Sequence, residues 1–173
     1  MRVKPNTMGG VAKMISRWLL VNILTVMVIV FWSLYRGYDS LYILLGKMAA
    51  QAAFVLFLIN INMYFVFLLI RKGKVRKVKV RLAKISKTMM KYHIPLAITA
   101  SLLILIHGAM MVTAHSSQLG NVKILAGALS LSLLVVLLYS GLLRHRKATG
   151  KRRKFHYTMA FIFFGFVILH IFL

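Results

Sequence analysis

The chain has 173 residues, 61% of them hydrophobic, and carries 24 Lys and Arg against one acidic residue, for a formal net charge of +23. It has no cysteine, which excludes disulfides, thiolate metal sites and cysteine-held iron–sulfur clusters. The apolar residues come in long blocks rather than alternating, which excludes a soluble domain and a β-barrel. The blocks predict membrane helices, each needing about 20 apolar residues to cross about 30 Å of hydrocarbon.

Taken in order, the N-terminal tail holds Arg2, Lys4, Lys13 and Arg17. The apolar block after it, 18–35, lacks a small-residue cleavage site and reads as an uncleaved first helix rather than a removable signal. A short turn with Arg36 and Asp39 leads into the second block, 41–70, where Lys47 is the one charge. Segment 71–91 then holds 10 Lys and Arg, with Val75, Val78, Leu82, Ile85 and Met89 recurring at three and four residues. That pattern predicts an interfacial amphipathic helix lying on the inner leaflet and attracted to anionic lipid. The sharper reading is that it also docks an acidic partner protein. The third span is predicted at 93–114 and the fourth at 123–143. A connection over 144–154 with 7 Lys and Arg leads to the fifth span, 155–173.

Charge placement orients these spans. Of the 24 cationic residues, 21 fall in the N-terminal tail and the two connections 71–91 and 144–154, which lie on one side of five helices. The positive-inside rule then puts the N-terminus in the cytoplasm and the C-terminus outside. The expected fold class is all-α: a polytopic membrane bundle of about five helices, forming one domain, plus the interfacial helix. Topology accounts for the charge, so no nucleic-acid partner is expected. The sole carboxylate, Asp39, falls in an outer turn, and proton or cation transport is correspondingly unsupported.

The histidines carry the chemistry. His93 and His107 are fourteen residues apart in the third span, and His156 and His170 are fourteen apart in the fifth. Fourteen residues advance a helix by about 1400°, within about 40° of four turns, and rise about 21 Å. Each pair therefore shares one helix face, and because the third and fifth spans run in the same direction the two pairs match in depth. Facing imidazoles at two levels can each hold a haem iron from both axial sides. The competing reading is an interfacial or hydrogen-bonded structural role. Pro95, two residues after His93, can place His93 ahead of the regular helix, in which case only the outer haem forms. His115 and His145 are expected to be solvated.

Lys47 lies about 9 Å below the outer end of its helix by helical rise. It can pair with a haem propionate or extend its ammonium to the outer surface. Gln51, Asn60 and Asn62 are expected to hydrogen-bond between helices. Gly108 and Gly165 offer places where a porphyrin can approach the backbone.

On the spacings His93-x13-His107 and His156-x13-His170, and on the basic run Lys151-Arg-Arg-Lys-Phe-His156, the chain resembles the ferric reductase-like transmembrane superfamily. That group includes ferric reductases, NADPH oxidases and the haem subunit of a methionine sulfoxide reductase system. The resemblance covers most of the chain. It implies b-type haem held between the third and fifth helices, with electrons crossing from the inside. These residues depart from the family in having neither a sixth helix nor a cytosolic FAD/NADPH domain. The expectation is a cytochrome b of a bacterial-type cytoplasmic membrane, the haem subunit of an oxidoreductase. A cytosolic flavoprotein or a quinol would be the donor, and an extracytoplasmic acceptor would receive the electrons. The alternative is a cofactor-free membrane scaffold with structural histidines.

Overall fold

A computed structural model describes residues 6–73 and 75–173. Arg2, Lys4 and Lys74, three of the cations used above, lie outside the described residues. Five α-helices occur among the described residues: α1 (Asn6–Tyr35), α2 (Leu41–Lys72), α3 (Arg76–Ala114), α4 (Val122–Arg146) and α5 (Gly150–Phe172). A single 3-10 turn, Ser116–Gln118, sits between α3 and α4, and no strand occurs among the described residues. All five helices are long and apolar enough to cross a membrane, so the chain has the build of a multi-pass membrane protein.

Local chemistry sets the ends. The Ser40 hydroxyl accepts from the Ile43 amide at the start of α2, Asn121 caps α4, and Thr149 caps α5. Gly37 adopts φ +63 in the turn between α1 and α2, a conformation that glycine takes without a Cβ clash. Arg152 returns from α5 to donate to the carbonyl of Leu143, at 2.9 Å, beside the Lys147 amide that the same carbonyl accepts, and so ties the start of α5 to the end of α4.

The α3 helix differs from the sequence expectation. It is one helix of 39 residues, and the stretch assigned to a separate interfacial element is its first half. Nothing from Arg76 to Lys91 breaks a helix, and Lys, Arg, Leu and Ala favour one. The apolar stripe faces α2 rather than a lipid surface: Val78, Leu82 and Met89 are half-buried and Ser86 is buried, while Ile85 stays exposed. Pro95 is inside the helix, so His93 stands well within α3 rather than ahead of it.

The helices associate as two antiparallel hairpins, α2 with α3 and α4 with α5, and α1 lies against α2. The hairpins meet across a layer in which Leu134, Leu137 and Phe163 are buried, flanked by Phe57, Ile104 and Met159. Toward the basic end, Tyr64 packs on Tyr157 and Phe161 and so ties α2 to α5. Much of the remaining apolar surface, including Leu19, Leu20, Ile23, Leu102, Leu105 and Val135, is exposed. That is the pattern of helices whose solvent is lipid. Below, the inner end is the one with the basic 73–75 and 147–149 connections.

Candidate functional site

On α3 the residues facing α2 recur every seven positions: Ser86, His93, Ala100 and His107. Two heptads of an antiparallel helix pair bring successive members back to one seam. The partners on α2 repeat at the same interval, for His93 meets Asn60 and His107 meets Gly46. The other hairpin repeats the arrangement. His156 meets Ser140, with Gly141 beside it, and His170 meets the Lys123 carbonyl, with Gly127 beside it.

These contacts fix which ring nitrogen carries the proton. His107 Nδ1 lies 2.9 Å from the Gly46 carbonyl and His170 Nδ1 lies 2.9 Å from the Lys123 carbonyl. Carbonyl oxygens only accept, so both Nδ1 atoms donate. Ser140 Oγ donates to the Leu137 carbonyl at 2.6 Å and so accepts from His156 Nδ1 at 2.8 Å. Asn60 donates its amide to the His93 carbonyl at 3.2 Å, and its Oδ1 accepts from His93 Nδ1 at 3.1 Å. A neutral imidazole has one N–H, so all four rings keep their lone pair on Nε2. An acceptor that holds the N–H of the far ring nitrogen is how a protein orients a metal-binding histidine.

The four rings come together in two pairs. His93 and His156 have ring centroids 6.2 Å apart, with planes crossed at 83°. His107 and His170 are 6.3 Å apart, crossed at 70°. Two imidazoles bound to one iron, each at about 2 Å from its nitrogen, place their centroids about 6 Å apart. Both separations fit. No group of three or more His, Cys, Asp or Glu able to hold a metal occurs among the described residues. Each pair presents two imidazoles with free Nε2 lone pairs, a donor set that would fit a haem iron. The α3 and α5 helices pack mainly on other partners, α2 and α4, and their histidines meet between the hairpins.

Glycines shape the walls. A Cβ on Gly127 would lie 3.0 Å from His170 Cε1, and one on Gly141 would lie 3.4 Å from His156 Cε1. Gly108 and Gly165 have no atom within 4 Å of where a Cβ would be, so their backbones face open space. Between the two levels, Ala100 on α3 and Phe163 on α5 each stand seven residues from either histidine of their helix. Phe163 is 2% exposed and Ala100 is 5% exposed, and Phe163 packs with Leu134 and Leu137 in the layer between the pairs.

The other predicted residues fall elsewhere. The Lys47 ammonium donates to the Gly37 carbonyl in the outer turn, the outward-reaching arrangement. Arg36 donates to the Leu173 carbonyl at 2.7 Å and Lys123 to the Ile171 carbonyl at 3.3 Å, so two cations meet the outer end of α5. Asn62 bonds Asn22 at 2.6 Å, an interhelical contact as expected. His115 pairs with no other histidine: its Nδ1 lies 3.1 Å from the Met111 carbonyl at the end of α3. His145 is exposed in the last turn of α4.

Sequence reasoning missed Ser140, Gly46, Gly127, Gly141 and the specific part played by Asn60. One signal was present: Gly46 to Asn60 and Gly127 to Gly141 are also separated by fourteen residues. Comparison of the chain with protein families, with curated proteins and with solved structures finds no match.

Proposed function

We propose that the chain is a b-type cytochrome that carries electrons across a cytoplasmic membrane, as the haem subunit of an oxidoreductase. His93 with His156 would hold an inner haem, and His107 with His170 an outer one. One observation carries this reading. Four imidazoles on two helices have their Nδ1 atoms tied to four separate acceptors, and they meet in pairs at 6.2 and 6.3 Å. Purely structural histidines need only one hydrogen bond each and have no reason to repeat that spacing at two depths.

A haem held by these histidine pairs would supply one-electron chemistry. The chain's own residues do the rest. Asn60, Gly46, Ser140 and Lys123 set the tautomers and ring planes. Gly127 and Gly141 let the α5 rings lie against α4. Phe163, with Leu134 and Leu137, fills a dry layer between the two levels. A cytosolic flavoprotein or a quinol is the proposed donor, and the acceptor lies outside, as in ferric reductase-like proteins. Anionic lipid at the inner surface neutralises the 144–154 connection.

The test is direct. Full-length protein purified from haem-replete cells is expected to show a reduced b-type absorbance spectrum and two haems per chain. A colourless, iron-free preparation overturns the reading in favour of a cofactor-free scaffold.

A further inference from the structure

The two hairpins reach the same depth at the histidines but not at the inner end. From His93 to the start of α3 at Arg76 is 17 residues, whereas from His156 to the start of α5 at Gly150 is 6. At the rise of an α-helix these are about 26 Å and about 9 Å. Because His93 and His156 face each other, the α2–α3 hairpin projects roughly 16 Å beyond the α4–α5 hairpin.

The basic 144–154 connection marks the inner headgroup level. The attraction of anionic lipid fades within a Debye length, about 8 Å at physiological salt. The tip of the projection therefore stands about two Debye lengths into the aqueous phase. Arg71, Lys72, Arg76, Lys77 and Arg81 are exposed on it. Lipid attraction has faded at Arg71, Lys72, Arg76 and Lys77 and is weak at Arg81, about 9 Å out, and the apolar stripe beside them faces α2. No carboxylate balances them, because the only acidic residue, Asp39, belongs to the turn at the opposite end. At the foot of the projection Lys147, Lys151, Arg153 and Lys154 are exposed as well, two to nine positions from His156. Wall and floor form a step of one sign of charge, next to the inner histidine pair.

We propose that this basic step is the docking surface for an acidic soluble redox protein, seated against the α2–α3 projection and over the His93–His156 pair. The proposal rests on the cytochrome reading for its purpose and selects a soluble protein over a quinol as the donor. One-sign fields of this kind steer and orient an oppositely charged partner, and the effect weakens with salt.

The probe is a purified flavodoxin, a small acidic FMN protein, binding to the full-length chain in nanodiscs of phosphatidylcholine alone. Binding is expected at low ionic strength and is expected to weaken at least ten-fold at physiological salt. The Arg71→Gln, Arg76→Gln, Lys77→Gln, Arg81→Gln variant is expected to bind about ten-fold more weakly at low salt. Its affinity for phosphatidylserine vesicles should be unchanged, and the charge-conserving Arg76→Lys, Arg81→Lys variant should bind as the parent does. Unchanged flavodoxin binding in the Gln variant overturns the proposal. So does a loss of vesicle affinity in its place, which would assign the segment to lipid. Haem content of the same preparations keeps the two readings apart. Colourless protein with charge-dependent flavodoxin binding sinks the cytochrome and leaves the docking surface. Haem-loaded protein without that binding sinks the docking surface alone.

Discussion

The backbone of Gly127 lies directly against the His170 ring, so close that a Cβ there would come within 3.0 Å of Cε1 and 3.3 Å of Nδ1. Gly141 has the same relation to His156 with more room, at 3.4 and 3.7 Å. The difference predicts unequal responses to one added methyl group. Gly127→Ala must push the His170 ring away from its Lys123 acceptor and out of line with His107. Gly141→Ala makes an ordinary contact. Haem quantitation is expected to fall from two per chain to one in Gly127→Ala, with the outer low-spin signal lost by electron paramagnetic resonance. Gly141→Ala should keep both. Equal loss in the two variants would contradict this account of the α4–α5 seam.

The acceptors on Nδ1 are expected to matter almost as much as the ligands. Removing the Ser140 hydroxyl leaves the His156 N–H buried without a partner, at a cost of about 1–3 kcal/mol. It also frees the ring to rotate. Loss of such an outer partner generally weakens metal binding about 10–100-fold. Ser140→Ala and Asn60→Leu are therefore expected to lower affinity at the inner pair by that factor while the outer pair is untouched. Haem titration into chain made without haem, read separately at the two spectral components, measures both.

The three-residue logic of α3 shows what could be read in advance and what could not. The five long apolar runs are visible because lipid offers no other way to satisfy a backbone. The histidine spacing is visible because a helix has a fixed pitch. A stripe such as Val78, Leu82 and Met89 says only that something apolar covers it. Lipid and a neighbouring helix look the same from the stripe alone, so the first half of α3 read as a separate interfacial element. Pro95 misled in a related way, since its missing N–H weakens a helix in isolation. In the fold, Asn60 grips both the ring and the carbonyl of His93, two residues before Pro95, at 3.1 and 3.2 Å. Gly127 and Gly141 could not be assigned at all, because a glycine acquires its role only when the ring opposite is known.

The outer turn offers a stability test independent of any cofactor. Gly37 sits at φ +63, and its carbonyl receives the Lys47 ammonium. An alanine at that φ costs about 1–2 kcal/mol. Lys47→Met removes the bond, but also removes a charge from an apolar helix, which offsets part of the loss. Gly37→Ala is expected to lower the unfolding midpoint in detergent clearly more than Lys47→Met does. The reverse order would mean that the ammonium contact, rather than the backbone conformation, holds the turn.

Phe163 is the strongest test of the layer between the two histidine levels. It is 2% exposed and meets Phe57 edge-on at a centroid distance of 5.0 Å, with Leu134 and Leu137 in the same cluster. From α3 it is Ile104 that packs against this cluster. Phe→Ala in a packed core costs about 3–5 kcal/mol in water-soluble proteins. In a membrane the unfolded helices are still in lipid, so the transfer part shrinks and the lost packing contacts dominate. We expect a loss of about 2–3 kcal/mol in a denaturant titration, toward or below the lower end of that range. Phe163→Leu should recover most of it. Because Phe163 is seven residues from both His156 and His170, the cavity lies equally far from each pair. Haem loss on heating should therefore come earlier for both levels together in Phe163→Ala. Earlier loss from one level only would show that the two hairpins do not share this layer as a single packed unit.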